Sequence, residues 1–190
     1  MINKDLIFNI TSDANFNSAA LAVFQHQFEN NSVYRSFCDL LYKHPSEVKK
    51  IKDIPFLPIQ FFKSHKVVSN AQPTKATFTS SGTTGSSLSK HHLSDLKIYQ
   101  QSFRRGFKSF YGAIEDYTVI ALLPTYLESE GSSLVYMAND MIKQSKKSES
   151  GFYLHDLEAL KKTLINLEKK EQKTLLIGVS YACLLYTSDA

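Results

Sequence analysis

Apolar side chains recur at three- and four-residue intervals along much of this chain, and in one place they run together unbroken. From Asn15 to Asn31, Phe16, Ala20, Phe24 and Phe28 fall four apart with Ala19 and Val23 beside them, which predicts a helix with an aromatic face. A short helix is expected over 2–10, with Ile2, Leu6, Ile7 and Ile10 on one side. Ser32 is the expected cap of a third helix carrying Tyr34, Phe37, Cys38, Leu41 and Tyr42, with Pro45 ending it. Cys38 on that apolar face reads as an inert buried thiol. Pro55 and Pro58 exclude a continuous helix through Ile54–Phe62, so an extended stretch leading to a helical turn is expected. Lys66-Val67-Val68 then reads as a strand.

Beyond residue 74 the pattern alternates. Lys75–Phe78 reads as a strand, and Ser94–Tyr111 as a helix with Leu96, Tyr99, Phe103, Phe107 and Phe110 on one face. Ser94 is its expected cap and Gly112 its stop. Arg104, Arg105 and Lys108 read as surface charge. Thr118–Leu123 is almost wholly β-branched or apolar, as suits a strand buried on both faces, and Pro124 stops it. Helix is expected over Ser132–Gln144, strand over Gly151–Leu154, and helix over Asp156–Lys170 with Asp156 as cap. Leu157, Leu160, Leu164 and Leu167 would be the buried edge of that last helix, and Thr174–Val179 the next strand. Strands alternating with helices predict an α/β fold, a mainly parallel sheet flanked by helices. An N-terminal helical region, 1–74, would pack on this core, 75–182, as an aromatic-rich layer.

One stretch fits neither period. Thr79-Ser80-Ser81-Gly82-Thr83-Thr84-Gly85 has five hydroxyl residues in seven, and Ser89-Lys90-His91-His92 follows it. Glycines let backbone N–H groups converge on a large anion, hydroxyls add donors, and a lysine adds mobile charge. The stretch lacks the Gly-Lys-[Ser/Thr] ending of a Walker A loop, because Ser86 follows Gly85. The alternative is a polar turn. That many hydroxyls favour phosphate binding.

Ser80-Ser81-Gly82-Thr83-Thr84-Gly85 with its following lysine resembles the phosphate-binding loop of the adenylate-forming, acyl-CoA synthetase-like superfamily. With Ser89-Lys90-His91-His92 it is more narrowly similar to the LuxE-type acyl-protein synthetases, the fatty-acid-activating subunits of bacterial fatty-acid reductases. Ile54-Pro55-Phe56-Leu57-Pro58 with Phe61-Phe62-Lys63 resembles the same family. So does Leu122-Leu123-Pro124-Thr125-Tyr126-Leu127-Glu128 with Ser132-Ser133-Leu134-Val135-Tyr136-Met137. The resemblance spans residues 30–182. It departs from the superfamily pattern at Lys90, which lies several residues beyond the last glycine with no proline before it.

The resemblance implies a fold like the N-terminal part of adenylate-forming enzymes and a two-step reaction. A carboxylic or fatty acid reacts with ATP to give acyl-adenylate, and the acyl group then passes to a thiol, a protein cysteine or CoA. Mg²⁺ would accompany the ATP, and reductase or acyltransferase subunits would be partners. Ser80, Ser81, Gly82, Thr83, Thr84 and Gly85 would hold phosphates, with Lys90 adding charge. Tyr126 resembles a position near the carboxylate pocket; the plainer reading is a loop aromatic closing a strand end. His91 and His92 have no nucleophile or carboxylate paired with them in sequence and read as structural or anion-contacting. Further sheet, a lid and the acceptor cysteine are expected downstream. The chain is therefore expected to be an N-terminal fragment inactive by itself, 183–190 a tail outside the family sequence, and Cys183 not the acceptor.

Composition narrows the setting. At 190 residues, 43% hydrophobic, the chain can bury a real core. Its net charge of +4 is spread along the sequence, unlike the clustered basic face of a nucleic-acid binder. Two cysteines without Cys/His clustering suggest no metal site and a reducing compartment. No apolar run approaches the ~20 residues of a membrane span, and the N-terminus lacks a signal-peptide core; a cytoplasmic setting is expected. Two other functions fit the same residues: a carboxylate–CoA ligase of the phenylacetate type, and a non-catalytic anion-binding or interaction domain.

Overall fold

The computed structural model describes residues 4–69, 73–80, 87–125, 128–129 and 131–179. The chain divides into two compact units, Met1–Ile98 and Tyr99–Ala190.

In the first unit, α1 (Lys4–Phe8), α2 (Asp13–Asn30) and α3 (Ser32–Leu40) precede a 3₁₀ turn at Ile51–Asp53 and the short α4 (Phe61–Ser64). The aromatic stripe of α2 does what its spacing predicts. Phe24 and Phe28 are buried with Tyr34, Cys38 and Val48, and Leu21, Phe37, Ile54 and Leu57 pack around them. Phe24 meets Tyr34 edge-on, with ring centroids 6.2 Å apart. The Tyr34 hydroxyl donates to the Pro55 carbonyl oxygen at 2.6 Å, fastening the proline-punctuated stretch to α3. Burial, the largest effect, raises the pKa of Tyr34 and also that of the Cys38 thiol, which keeps this cysteine inert.

The α2–α3 corner corrects the expected cap. Asn31, not Ser32, caps α3: its Oδ1 accepts from the Tyr34 N–H at 3.2 Å. Its own backbone N–H closes α2 on the Gln27 carbonyl, and its Nδ2 donates to Gln27 Oε1 at 3.2 Å. Asn31 is extended, with φ −120° and ψ 101°, whereas Ser32 already lies in the helix. A buried corner favours the side chain that can both accept and donate. Nor does Pro45 end α3. The helix stops at Leu40, Tyr42 is left-handed at φ 53°, and the Lys43 N–H returns to the Cys38 carbonyl at 2.9 Å. Lys66–Val68 is not a strand; Val67 packs inward from an irregular segment.

The unit ends in a two-stranded antiparallel hairpin, β1 (Ala76–Thr79) and β2 (Lys90–Leu93). Helix α5 (Leu96–Tyr111) follows and crosses into the second unit. Asp95, rather than Ser94, supplies its capping oxygen, accepting from the Lys97 N–H at 2.9 Å. Gly112 closes the helix as expected, at φ +88°.

The second unit is built on β3 (Thr118–Leu122), every residue of which is buried. Strands β4 (Gly151–Phe152) and β5 (Thr174–Gly178) flank it in the order β4-β3-β5, both parallel to it. Alternation along β3 feeds two cores. Ile120 and Leu122 pack with Leu160 and Leu167 of α7 (Leu157–Lys169). Ala121 and Leu123 pack with Val135 and Ala138 of α6 (Ser133–Ser145). Helices thus cover both faces of a parallel sheet, the predicted α/β class. Ser132 and Asp156 cap their helices, accepting from Val135 N–H and Ala159 N–H. Of the four leucines on α7, Leu160 and Leu167 are buried, Leu164 is half-buried and Leu157 is 49% exposed.

Arg104 is more than surface charge. It grips Asp140 of α6 through two nitrogens, at 2.9 and 2.6 Å, and Asp140 also accepts from Gln144. Tyr99 and Gln100 of α5 bond the Ser133 carbonyl and the Tyr136 hydroxyl, so polar contacts line the α5–α6 seam.

Two stability changes follow from these positions. Asn31→Ala should lower unfolding free energy by about 1–2 kcal/mol, and Asn31→Ser, which keeps a capping oxygen, should lose less; urea-unfolding midpoints measure both. Thr118 Oγ1 is buried without a partner among the described residues. Thr118→Val should therefore raise stability by about 1 kcal/mol, read as an increase in the thermal midpoint.

Candidate functional site

The β1–β2 hairpin is the stem of the hydroxyl- and glycine-rich stretch. Its register pairs Ala76 with Leu93, Thr77 with His92, Phe78 with His91 and Thr79 with Lys90. Directly opposed residues share a face, so the stem has an apolar side and a polar one. Phe78 is buried on the first, where His91 lies edge-on to Phe62 with ring centroids 5.8 Å apart. Thr77, Thr79, Lys90 and His92 occupy the second, and Thr77 Oγ1 bonds His92 Nδ1 at 3.0 Å.

Beyond the last ladder pair, Ser80 and Ser89 close the stem. The Ser80 N–H donates to the Ser89 carbonyl at 3.1 Å, and the Ser89 N–H donates to Ser80 Oγ at 3.2 Å. Ser80 and Ser89 are therefore held together at the end of the stem. Ser80 acts here as a clasp whose hydroxyl oxygen accepts from the returning strand. Lys90 is exposed, the first stem residue after the loop on its strand. Ser81, Gly82, Thr83, Thr84 and Gly85 lie outside the described residues, as does Tyr126.

The charge around the stem is richer than the sequence suggested. His92 has its pKa lowered, first by desolvation and then by the positive charges of Lys66 and Lys90. Lys66 therefore belongs to the same electrostatic neighbourhood as Lys90, although 24 positions separate them (90 minus 66). His91 is lowered by desolvation and then by His92. Both shifts favour the neutral imidazole, which leaves the positive charge here to the lysines. A pocket of ≈ 370 Å³ opens beside the stem. His91 and His92 line one part of it, and Gln27, Asn31 and Ser69 line another. Ser69 Oγ donates to Gln27 Oε1 at 2.7 Å. Sequence reasoning missed Lys66 because its neighbours Val67-Val68 suggested only a strand.

A second polar cluster stands in the other unit, past the carboxyl ends of β3 and β4. Glu128 Oε2 accepts from both the Thr125 N–H and the Thr125 hydroxyl at 2.7 Å. Those bonds, the side-chain one first, hold its carboxyl below the usual range. His155 Nε2 lies 3.3 Å from Glu128 Oε1. The carboxyl ends of parallel strands are where open α/β sheets bind ligands. The Glu128–His155 pairing bridges residues far apart in sequence and had no local signal. No group of three or more His, Cys, Asp or Glu that could hold a metal is present among the described residues. No helix among them is long and apolar enough to cross a membrane.

With this geometry in place, the comparison with known families is decisive. The family model described as "Acyl-protein synthetase, LuxE" matches residues 9–188, nearly the whole chain. This chain belongs to the LuxE acyl-protein synthetase family. No curated protein and no solved structure matches it. Membership places it among acyl-transferring ligases that use an acyl substrate and a thiol acceptor, in agreement with the resemblance carried by Ser80–Gly85, Ile54–Lys63 and Leu122–Met137.

The two lowered imidazoles give a sign-definite test. A depressed histidine pKa means that the unfolded chain binds protons more readily, so stability should fall as pH drops through the ordinary imidazole value of 6.5. In NMR titrations the His91 and His92 ring protons should titrate below that value. Lys66→Ala should move His92 upward, and an unmoved His92 would remove Lys66 from the stem's charge cluster.

Proposed function

We propose that this LuxE-family chain takes part in ATP-dependent activation of a carboxylic, fatty-type acid. The acid is converted to acyl-adenylate with release of pyrophosphate, and the acyl group then passes to a thiol, as the family's acyl-protein synthetase name implies. The observation that carries the reading is the clasped hairpin. Ser80 and Ser89, which flank the Ser/Thr/Gly-rich stretch 81–88, are bonded to each other, with Lys90 next on the strand and Lys66 in the same charge neighbourhood of His92.

Adenylate formation asks little covalent help of the protein. The carboxylate oxygen attacks the α-phosphorus and pyrophosphate leaves, so catalysis rests on positioning and on neutralising phosphate charge. Backbone N–H groups of Gly82–Gly85 and hydroxyls of Ser81, Thr83 and Thr84 would donate to the β- and γ-phosphates. Ser80 would add its hydroxyl at the mouth of the stem. Lys90, with Lys66 behind it, would offset the charge that develops on the departing pyrophosphate. Neutral His91 and His92 suit this arrangement, because they leave the lysines to act as the cations. A magnesium ion carried on the nucleotide phosphates would screen their charge. Glu128 bonds Thr125 in the segment that follows β3 and pairs with His155, and for Tyr126, next to Thr125 in sequence, a carboxylate-contacting role is proposed.

Thr83→Ala or Thr84→Ala should each cut ATP–pyrophosphate exchange by the complete gene product about ten- to hundredfold, the equivalent of ~1.5–3 kcal/mol for a bond to a charged phosphate. The thermal midpoint should not move. Lys90→Ala should lose exchange as well, and Lys66→Ala less. Full exchange in both threonine variants would remove the loop's phosphate role, and absence of exchange in the unaltered protein would favour a non-catalytic anion-binding domain. A CoA thioester as the sole product would point to a carboxylate–CoA ligase.

A further inference from the structure

We propose that an apolar cleft in the first unit holds the alkyl chain of the acyl substrate. This rests on the activation reading above and adds to it a location within the chain. The cleft encloses ≈ 350 Å³ between α1, α2 and the 51–57 segment, within the range of small-molecule pockets. Ile7, Phe16, Ala20, Val23, Ile54 and Phe56 are among its walls, and none of the lining residues carries a charge. Its polar members are Gln27 and Tyr34, and the Tyr34 hydroxyl is already spent on Pro55.

Two observations choose the occupant. Phe16 is 51% and Phe56 77% exposed, so large apolar surface faces water across the cleft. An uncharged lining and a volume of ≈ 350 Å³ suit a small apolar group such as a single alkyl chain. The second observation is continuity. Gln27, Tyr34 and Leu57 wall this cleft and also wall the pocket that contains His91 and His92 at the base of the phosphate-loop stem. An acid whose chain lay in the cleft would have only that shared wall between it and the stem. The Ile54–Pro58 stretch then has a role: its prolines restrict the backbone, Pro55 is anchored by Tyr34, and Phe56 lines the cleft alone while Leu57 lines both spaces.

The test uses the chain itself with tetradecanoic acid carrying a terminal diazirine. After irradiation, label that plain tetradecanoic acid displaces should fall on peptides containing Ile7, Phe16 or Phe56. Label confined to Tyr99–Ala190, or no displaceable label, overturns the proposal. Across a series of saturated acids, affinity should rise about fourfold per methylene while carbons still enter the cleft. Ala20→Trp should make that rise level off at a shorter acid, and an unchanged profile in this variant, shown folded by circular dichroism, overturns the proposal. ATP–pyrophosphate exchange by the complete gene product separates the two readings. Exchange with tetradecanoic acid but label outside the cleft leaves the activity standing and removes the location. Label in the cleft without exchange supports the alkyl site and removes the activation reading.

Discussion

A backbone carried through an apolar interior must have its N–H and C=O groups paired by protein, and β3 meets that demand most severely. All five of its residues are buried, so neighbours must bond both of its edges and helices must cover both of its faces. β4 and β5 supply the edges, and α6 and α7 supply the faces, through the alternate residues Ala121/Leu123 and Ile120/Leu122. The same accounting governs the first unit on a smaller scale. There Asn31 closes one helix and opens the next within a single residue. The hairpin applies it once more at Ser80 and Ser89, where the ladder ends in a side-chain clasp.

That clasp sets the character of the candidate site. A segment rich in glycine and hydroxyls has little apolar surface with which to organise itself, so its geometry has to come from its ends. The stem provides this, with one face bedded on Phe78 and the other carrying Thr77–His92 and Lys90. The lowered pKa values of His91 and His92 leave the positive charge near the stem on the exposed side chains of Lys66 and Lys90.

Much of the fold was legible because burial writes itself as periodicity. The stripes of α2, α6 and α7, the unbroken run of β3, and the caps Ser132 and Asp156 could all be read directly, whereas α5 forms where its period predicts but buries no residue and leaves Phe110 83% exposed. β2 could not be read: Lys90-His91-His92-Leu93 has no apolar alternation and is a strand only because β1 lies opposite. Asn31 and Ser32 are both good capping residues, and the choice between them was made by a buried corner that local sequence does not record. Composition alone singles out the Ser/Thr/Gly stretch, of which residues 81–86 lie outside the described residues. Lys66 and the Glu128–His155 contact were not legible, because they are products of tertiary approach between segments with no shared pattern. Arg104 and Asp140 show the same limit, 36 positions apart in sequence.

The central strand also has to wait. β3 leaves the ribosome well before either of its partners, since β5 begins at Thr174; at ~5–20 residues per second, the delay is on the order of several seconds. During that interval the most apolar strand in the chain has α5 and nascent α6 for company and no ladder on either edge. Its pairings are separated by long stretches of sequence, the kind of topology that folds slowly and is open to association in transit. The first unit has no such debt, for its helices meet through a short corner and its strands through one hairpin. Synthesis order and architecture therefore give the two halves different vulnerabilities: the leading half folds from local contacts as it emerges, and the trailing half depends on protection until its last strand arrives.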